Sequence, residues 1–201
     1  HIITNGFVVD AEGRKMSKSL GNVVAPETII QKFGAEIIRI WVASSDYTED
    51  PRVGDEIINS VVDAYRKLRN TIRYLLGALH DFDESQIAPA AEMPELEQYM
   101  LHRLAELDES VRRSYEAYDF KTVWRRVFDF CALDLSAFYL DIRKDSLYCD
   151  RPDAIRRRSA RTVMHYVFER VTAWLAPICV FTMEEAWLTL HPSDDGSVHL
   201  R

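Results

Sequence analysis

The feature that most constrains the fold is a run of apolar residues at three- and four-residue steps, beginning at Asp55 and continuing to about Leu190. This spacing places apolar side chains along one stripe of an α-helix. Long helices are predicted to begin at Asp55, near Pro94, after an N-cap at Asp119, and at Pro152. Four amphipathic helices with short connections predict a mainly α fold, an antiparallel helical bundle.

Helix ends are also predicted. The third helix should end near Ile142, before a polar connector at 144–151, and Pro177 should break the fourth helix. Thr182 is expected to cap a last short helix. Aromatic residues within these patterns are expected in the core: Phe128, Phe130, Phe138, Phe168 and Trp187.

A smaller piece precedes the helices. Two β-branched and aromatic runs flank Asn5 and Gly6, a pair that favours a β-hairpin turn. Pro26 is placed to start a short helix, and Gly34 to end it. The polar, turn-rich stretch 45–54 is the best boundary. The predicted division is into a small β-hairpin/helix piece with a loop, residues 1–54, and a helical domain, residues 55–201.

Charge is unevenly distributed in a chain whose formal net charge is -7. Asp81–Asp119 holds eleven acidic residues against three arginines, whereas Arg143–Arg161 holds seven basic residues against three aspartates. Such asymmetry can steer an anionic partner to one face. No apolar run reaches membrane-spanning length. The cysteines Cys131, Cys149 and Cys179 form no C-x-x-C pair, so we expect no metal site, a reducing compartment and thiols packed as small hydrophobes.

A polar loop carries the clearest chemical signal. Gly13–Asn22 reads G-R-K-M-S-K-S-L-G-N, with Lys15 and Lys18 three residues apart among hydroxyl side chains. Lysine acts as a point charge towards phosphate, and hydroxyls and free backbone N–H groups add donors. The loop therefore suits a departing polyphosphate. A K-x-x-K string taken alone is more often a solvated basic turn.

The letters K-M-S-K-S at Lys15–Ser19 resemble the signature loop of class I aminoacyl-tRNA synthetases. The resemblance implies ATP as a substrate, with Lys18 as the first ATP contact and Lys15 as the second. Both lysines would be catalytic, stabilising charge on the departing pyrophosphate. Ser17 and Ser19 would bind the nucleotide by positioning the loop.

A narrower resemblance is to bacterial isoleucyl-tRNA synthetases, within class Ia. It is carried by D-L-S-A-F-Y-L-D-I-R-K-D-S-L-Y-C-D at Asp134–Asp150, Y-R-K-L-R-N-T at Tyr65–Thr71 and D-Y-T-E-D-P-R at Asp46–Arg52. Two positions depart from the pattern. Asn5 stands where such enzymes often carry His, and Ser146 where Arg is common.

The resemblance implies a parent isoleucine-tRNA ligase that is a cytoplasmic monomer binding isoleucine tRNA and ATP, with no membrane partner and no metal in this stretch. We read the chain as an excised piece, because it begins abruptly in a strand-like run with no start methionine. The family's H-x-G-H motif, editing domain and C-terminal zinc module are not in this stretch. We therefore expect it to be inactive alone.

The helices resemble the family's anticodon-binding domain, which implies basic and aromatic contacts to loop nucleotides. Each candidate arginine could instead pair with a neighbouring carboxylate, and the tryptophan could belong to the core. The candidates for tRNA binding are Arg66, Arg69, Arg73, Lys121, Trp124, Arg125, Arg126, Arg156, Arg157 and Arg161.

Two other interpretations stay open at this point. The first is a valyl-tRNA synthetase piece, against which the Asp134–Asp150 stretch argues. The second is a non-catalytic helical module that binds protein through the acidic Asp81–Asp119 face, which would leave the lysine loop unexplained.

Overall fold

Helices account for most of the chain in the computed structural model, which describes residues 3–192 and 196–201. The prediction of a mainly α fold is confirmed. A π-helical segment, Phe130–Tyr139, joins two of the α-helices. The α-helices are α1 Pro26–Phe33, α2 Ala35–Ser44, α3 Asp55–Ala78, α4 Glu95–Glu116, α5 Phe120–Asp129, α6 Leu140–Cys149, α7 Ile155–Leu175 and α8 Val180–Leu190.

Several helix ends follow the sequence signals. Pro26 opens α1, and Gly34, at φ 90°, ends it with its N–H on the Ile30 carbonyl. The Asp119 carboxylate accepts the Thr122 N–H at 3.0 Å and caps α5 as predicted. Two starts differ from expectation: α7 begins three residues after Pro152, and α8 begins at Val180, so Thr182 lies inside it.

The segment from α5 to α6 is one continuous helix. The expected end near Ile142 and the polar connector at 144–151 are therefore wrong, because the helix runs on to Cys149. Its π-helical middle has i→i+5 bonding, which changes the angular spacing of side chains. Leu133 and Phe138 are 63% and 42% exposed, so the prediction that Phe138 lies in the core is wrong.

A buried ion pair holds this continuous helix against α4. The Arg143 guanidinium donates two hydrogen bonds to Glu97, Nε to Oε1 at 2.6 Å and Nη2 to Oε2 at 2.7 Å. The Tyr139 hydroxyl donates to the same Glu97 Oε1 at 3.0 Å. Glu97 is fully buried, and burial together with this carboxylate raises the pKa of Tyr139 well above its usual range. The three groups satisfy one another inside the helical core.

The predicted hairpin at Asn5 and Gly6 is not observed in the described residues, while residues 1–2 of its first arm lie outside them. Residues 6–9 instead run beside 47–53: Gly6 N–H donates to the Tyr47 carbonyl at 2.9 Å, and Val53 N–H to the Val9 carbonyl at 2.9 Å. Val9 forms single bridges with Lys15 and Arg52 rather than a strand. Gly6 is needed for close approach, since an added Cβ would lie 1.9 Å from the Glu49 carbonyl oxygen.

The core takes residues from all eight α-helices and from the π-helical segment. Phe130, Phe168 and Trp187 are buried as predicted, and Cys131 and Cys179 are buried thiols. Cys149 is exposed, contrary to the expectation for all three cysteines. Within residues 3–192 and 196–201, no helix has the length and apolar character needed to cross a membrane.

Candidate functional site

The base of the lysine loop is organised by a buried carboxylate. Asp10 Oδ1 accepts the backbone N–H of Arg14 at 2.7 Å, and Oδ2 accepts Asn22 Nδ2 at 2.9 Å and Arg14 Nε at 2.8 Å. The Asn22 amide, followed by the Arg14 backbone and guanidinium, lowers the pKa of Asp10 to about 2. The carboxylate is therefore ionised at neutral pH and ties the two ends of the loop together.

Asn22 also supports the interior of the loop. Its Oδ1 accepts the Ser17 N–H at 2.9 Å, and its Nδ2 also donates to the Lys15 carbonyl at 3.3 Å. Ser17 Oγ accepts the Leu20 N–H at 3.3 Å and lies 3.1 Å from Ser19 Oγ. The two serines thus shape a short 3₁₀ turn, Lys18–Leu20, which ends at Gly21 with φ 66°. The arrangement fits the predicted positioning role of both hydroxyls.

Both lysines are exposed and face solvent. Lys15 Nζ lies 5.8 Å from the centroid of the Phe7 ring, and Phe7 is itself 75% exposed. In the described part of the chain neither Lys15 nor Lys18 forms an ion pair. Two ammonium groups are therefore available to an anion above a loop whose base is hydrogen-bonded.

Polar side chains on α2, which lies within residues 1–54, contact the start of α8 and the turn before it. The Glu36 Oε1 accepts the N–H groups of Phe181 and Thr182 at 2.7 and 3.0 Å, capping the start of α8. Arg39 donates to the Pro177 and Ile178 carbonyls at 2.8 and 2.9 Å. These contacts cross the predicted boundary between residues 1–54 and 55–201.

The arginines on α3 form an exposed stripe. Arg66, Arg69 and Arg73 occur at steps of three and four, which places them on one face of the helix. Arg66 lies 3.4 Å from Asp63, a pair in which both side chains are about 70% exposed. Neither Arg69 nor Arg73 has an ion pair with any described residue. This stripe therefore presents charge to solvent.

The second group of predicted tRNA-binding residues lies at the start of α5, and its members are partly on the surface and partly in the core. Lys121, Arg125 and Arg126 are exposed. Trp124 is buried at 7% exposure, and its ring stacks on Phe128 with centroids 5.8 Å apart. The structure places this tryptophan in the core, so base stacking by Trp124 would need the side chain to move.

The third predicted group, the arginines of α7, forms more hydrogen bonds within the protein than the first two groups. Arg156 donates twice to the Asp150 carboxylate at 2.8 Å, and Arg157 Nη1 donates to the Asp150 carbonyl at 2.8 Å. Arg161 donates to the carbonyls of Ala78 and His80 at 3.0 and 2.6 Å, so it closes the C-terminal end of α3. Arg156 and Arg161 are thus largely committed to protein partners.

Several residues with a role in this site were missed from the sequence. Asp10 and Asn22 hold the base of the loop together through a hydrogen bond, which we call the latch. Glu36 and Arg39 join α2 to the start of α8 and the turn before it. A signal existed for the latch, because Asp10 precedes a Gly turn and lies four residues before an arginine. The α2 residues gave no local signal, since their partners lie about 140 positions away.

Residues 97–201 match the family described as anticodon-binding domain of tRNA ligase, and residues 1–54 match tRNA synthetases class I (I, L, M and V). The chain belongs to the family of tRNA-ligase anticodon-binding domains.

Individual proteins similar to this chain carry a more specific name than the two families do. The isoleucine–tRNA ligase of Ruegeria pomeroyi is 55% identical over all 201 residues, which cover 21% of that protein. The isoleucine–tRNA ligase of Caulobacter vibrioides is 56% identical over 192 residues, 95% of this chain and 20% of that protein. The chain therefore spans about a fifth of the length of the curated relatives it matches.

Solved structures share the fold at lower identity. A LeuRS–tRNA–LeuAMS ternary complex of Agrobacterium radiobacter aligns with a TM-score of 0.73 at 19% identity, covering 96% of this chain and 22% of that one. A Mycobacterium tuberculosis methionyl-tRNA synthetase with methionyl-adenylate aligns with a TM-score of 0.70 at 18% identity, covering 98% and 43%. The helical arrangement is thus that of aminoacyl-tRNA synthetases.

Proposed function

We propose that this chain is the part of an isoleucine–tRNA ligase that carries the phosphate-binding loop and the anticodon-binding helices. The parent enzyme would activate isoleucine with ATP, release pyrophosphate and transfer isoleucine to its tRNA. The identity of 53–56% over nearly the whole chain to proteins of that name is the observation that carries this proposal. We place the division between the two functional parts at residues 54 and 55.

In this proposal the loop acts by electrostatics. Lys18 binds the phosphates of ATP, Lys15 assists, and negative charge that builds on the departing pyrophosphate is stabilised by both ammonium groups. Because the described residues leave both lysines without an ion pair, no ion pair must be broken first. The Asp10–Asn22 latch holds the base of the loop while its tip stays accessible.

The helical part would bind the anticodon arm of isoleucine tRNA. Phosphate contacts come from exposed cations that form no ion pair with a described residue, and the other candidate arginines add to the positive field. Trp124 would stack on a base only after its side chain moved out of the core. The cations in the first group are Arg69, Arg73, Lys121, Arg125 and Arg126. We further propose that the parent works in the cytoplasm, where its tRNA is found; a monomeric state stays a prediction.

Filter binding tests the RNA-binding half of the proposal. The chain should retain isoleucine tRNA more strongly than valine tRNA, and its affinity should fall linearly on a log–log plot against salt. Indifference to both tRNAs at low salt would favour the protein-interaction module instead. Equal or stronger retention of valine tRNA would favour the valyl interpretation.

Pyrophosphate exchange tests the catalytic half. The 201 residues by themselves should show no isoleucine-dependent exchange, because they supply the lysine loop but not the family's H-x-G-H motif. Clear pyrophosphate exchange by this chain alone would contradict the proposal that its loop needs the family's H-x-G-H motif for catalysis.

A further inference from the structure

The phenyl ring of Phe7 lies beside the lysine loop and has no part in the functions described above. The ring is 75% exposed, although phenylalanine side chains are usually buried. The ammonium nitrogen Nζ of Lys15 lies 5.8 Å from the centroid of this ring. A cation within about 6 Å of an aromatic face is attracted by the negative charge of that face. The exposed position of Phe7 is therefore linked to Lys15.

The backbone that carries Phe7 is held in place by hydrogen bonds. Phe7 N–H donates to Asp50 Oδ1 at 2.7 Å, and Gly6 N–H donates to the Tyr47 carbonyl at 2.9 Å. Gly6 also brings this segment against the Glu49 carbonyl, where a Cβ would not fit. Because these contacts fix the main chain, the exposed ring projects from a defined point.

The backbone of Lys15 is fixed as well. Lys15 forms a single antiparallel bridge with Val9, and its carbonyl accepts Asn22 Nδ2 at 3.3 Å. Phe7 is two residues from Val9, which makes it the diagonal neighbour of Lys15. Aromatic and long side chains at diagonal positions of an antiparallel pair are within reach of one another. The contact between ring and ammonium group thus follows from the pairing of the two backbones.

The carboxylates nearest to Lys15 in the sequence are used by another cation. Arg14 Nε pairs with Asp10 at 2.8 Å, and Arg14 Nη2 pairs with Glu12 at 3.0 Å. Lys15 has an uncharged ring as its neighbour instead. A carboxylate would neutralise the ammonium group, whereas a phenyl ring attracts it and leaves its charge and its N–H donors available to a phosphate.

Lys18 differs from Lys15 in this respect. It lies in the 3₁₀ turn Lys18–Leu20 and forms neither an ion pair nor a ring contact with any residue that the structure describes. Ordering a lysine side chain costs conformational entropy, and a contact made before the substrate arrives reduces that cost at the moment of binding. Lys15 is therefore the lysine that is arranged in advance.

We propose that Phe7 is a positioning residue for Lys15, and that its ring holds the ammonium group, with its charge uncompensated, for the phosphates of ATP. The inference rests on the proposed phosphate-binding function of the loop and adds to it an uncharged aromatic partner. Exposed cation–π contacts have energies that correspond to a factor of about two to five in an equilibrium. Loss of the ring should therefore weaken the contribution of Lys15 without abolishing it.

Side-chain NMR of this chain tests the contact itself. The ε-methylene protons of Lys15 should be shifted upfield by the ring in the unaltered chain and in Phe7→Tyr, and should return to the position of a free lysine in Phe7→Leu. Phe33→Leu is the matched control, because Lys32 Nζ lies 4.8 Å from the centroid of the Phe33 ring. That variant should move the Lys32 protons and leave those of Lys15 unchanged. Lys15 protons at the free-lysine position in the unaltered chain would overturn the proposal.

Kinetics of a full-length isoleucine–tRNA ligase that carries this segment test the consequence. Phe7→Leu should lower kcat/KM for ATP in isoleucine-dependent pyrophosphate exchange by about two- to fivefold, and Phe7→Tyr, which keeps a ring, should lower it less. Phenylalanines with an increasing number of ring fluorines at this position weaken the negative face in steps with little change in shape. The logarithm of kcat/KM should fall in step with fluorination; a flat series would show that the ring acts only by its shape and would overturn the proposal.

A double-mutant cycle shows whether Phe7 acts through Lys15. The effect of Phe7→Leu should disappear in a Lys15→Ala background and persist in a Lys18→Ala background. An equal effect in both backgrounds would show that the ring serves another part of the enzyme, and the proposal would fail. Circular dichroism of each variant establishes that it is folded.

Failure of the proposed function and failure of this inference have different signatures. If Lys15→Ala leaves pyrophosphate exchange unchanged, the proposed role of Lys15 fails and the role of Phe7 fails with it. If Lys15→Ala lowers exchange but Phe7→Leu and the fluorinated series do not, only the role of Phe7 is wrong, and the loop keeps its proposed function.

Discussion

The side chains of Asp10 and Asn22, twelve residues apart, meet through a hydrogen bond of 2.9 Å at the base of the lysine loop. The same amide carries the Ser17 N–H on its oxygen, so one asparagine links the buried carboxylate to the middle of the loop. The order of the loop therefore depends on Asp10 and Asn22, whereas its phosphate chemistry is expected of the exposed lysines. A substitution of Asn22 and a substitution of Lys18 should thus have separately measurable effects.

Lys18 is the residue whose loss should affect chemistry most directly. In a full-length isoleucine–tRNA ligase that carries this loop, Lys18→Ala should lower the rate of pyrophosphate exchange by a factor on the order of 10²–10³, as for the loss of a preorganised donor to developing charge. Lys32→Ala, on exposed α1, is the control. An unchanged exchange rate in Lys18→Ala would remove this lysine from the site.

Asn22→Ala should loosen the loop without unfolding the helices. It removes the acceptor for Ser17 and a donor to Asp10, so amide hydrogen exchange over residues 15–22 should become about tenfold faster. Exchange in α3 and α7 should not change. The control is Asn59→Ala on the exposed face of α3, and equal loop protection in both variants would show that the latch is not needed.

Acid should release the same latch at an unusually low pH. The pKa of Asp10 is lowered from 3.8 to about 2, first by the Asn22 amide, so the unfolded chain binds the proton more readily than the folded one. The stabilisation is full above about pH 4 and is lost as the pH falls towards 2. A side-chain NMR titration should give a midpoint near 2 for Asp10 that moves upward in Asn22→Ala; a midpoint near 4 in the unaltered chain would contradict the geometry.

The Glu97–Arg143 pair should govern global stability. Glu97→Ala leaves the Arg143 charge and the Tyr139 hydroxyl without their shared acceptor inside the core, and should cost about 3–5 kcal/mol in urea unfolding. Lys144→Ala breaks only an exposed pair with Asp141 and should cost less than about 1 kcal/mol. Similar losses for the two variants would mean that the buried pair is not a stabilising contact.

Two glycines should respond to alanine in opposite directions. Gly6→Ala places a Cβ against the Glu49 carbonyl oxygen and should destabilise the packing of residues 6–9 on 47–53. Gly77→Ala lies inside α3 with open space around it and should stabilise the chain by about 0.5–1 kcal/mol. Thermal unfolding of both variants checks the signs, and a neutral Gly6→Ala would show that this close approach can relax.

Much of this fold could be predicted from local sequence because its signals are local. The periodic apolar residues set the starts and lengths of α3 and α4, and Asp119 caps α5 through a residue three positions away. Gly6 misled the prediction, since glycine serves both tight turns and close backbone approach, and the choice depends on Glu49. Phe138 misled it as well, because the helical period changes within a π-helical segment.

The K-M-S-K-S letters are a property of the chain itself, and their resemblance to a family loop was sufficient to indicate a tRNA ligase. The arginine positions can also be read from the sequence. Which of those cations remain available was decided only when distant segments met: Arg161 is used by the end of α3, and Trp124 by the core. A cleft lined by Arg73, Tyr148 and Arg157 likewise exists only where α3, α6 and α7 converge. Short-range spacing encodes helices and motifs, whereas burial and pairing depend on contacts between residues far apart in sequence.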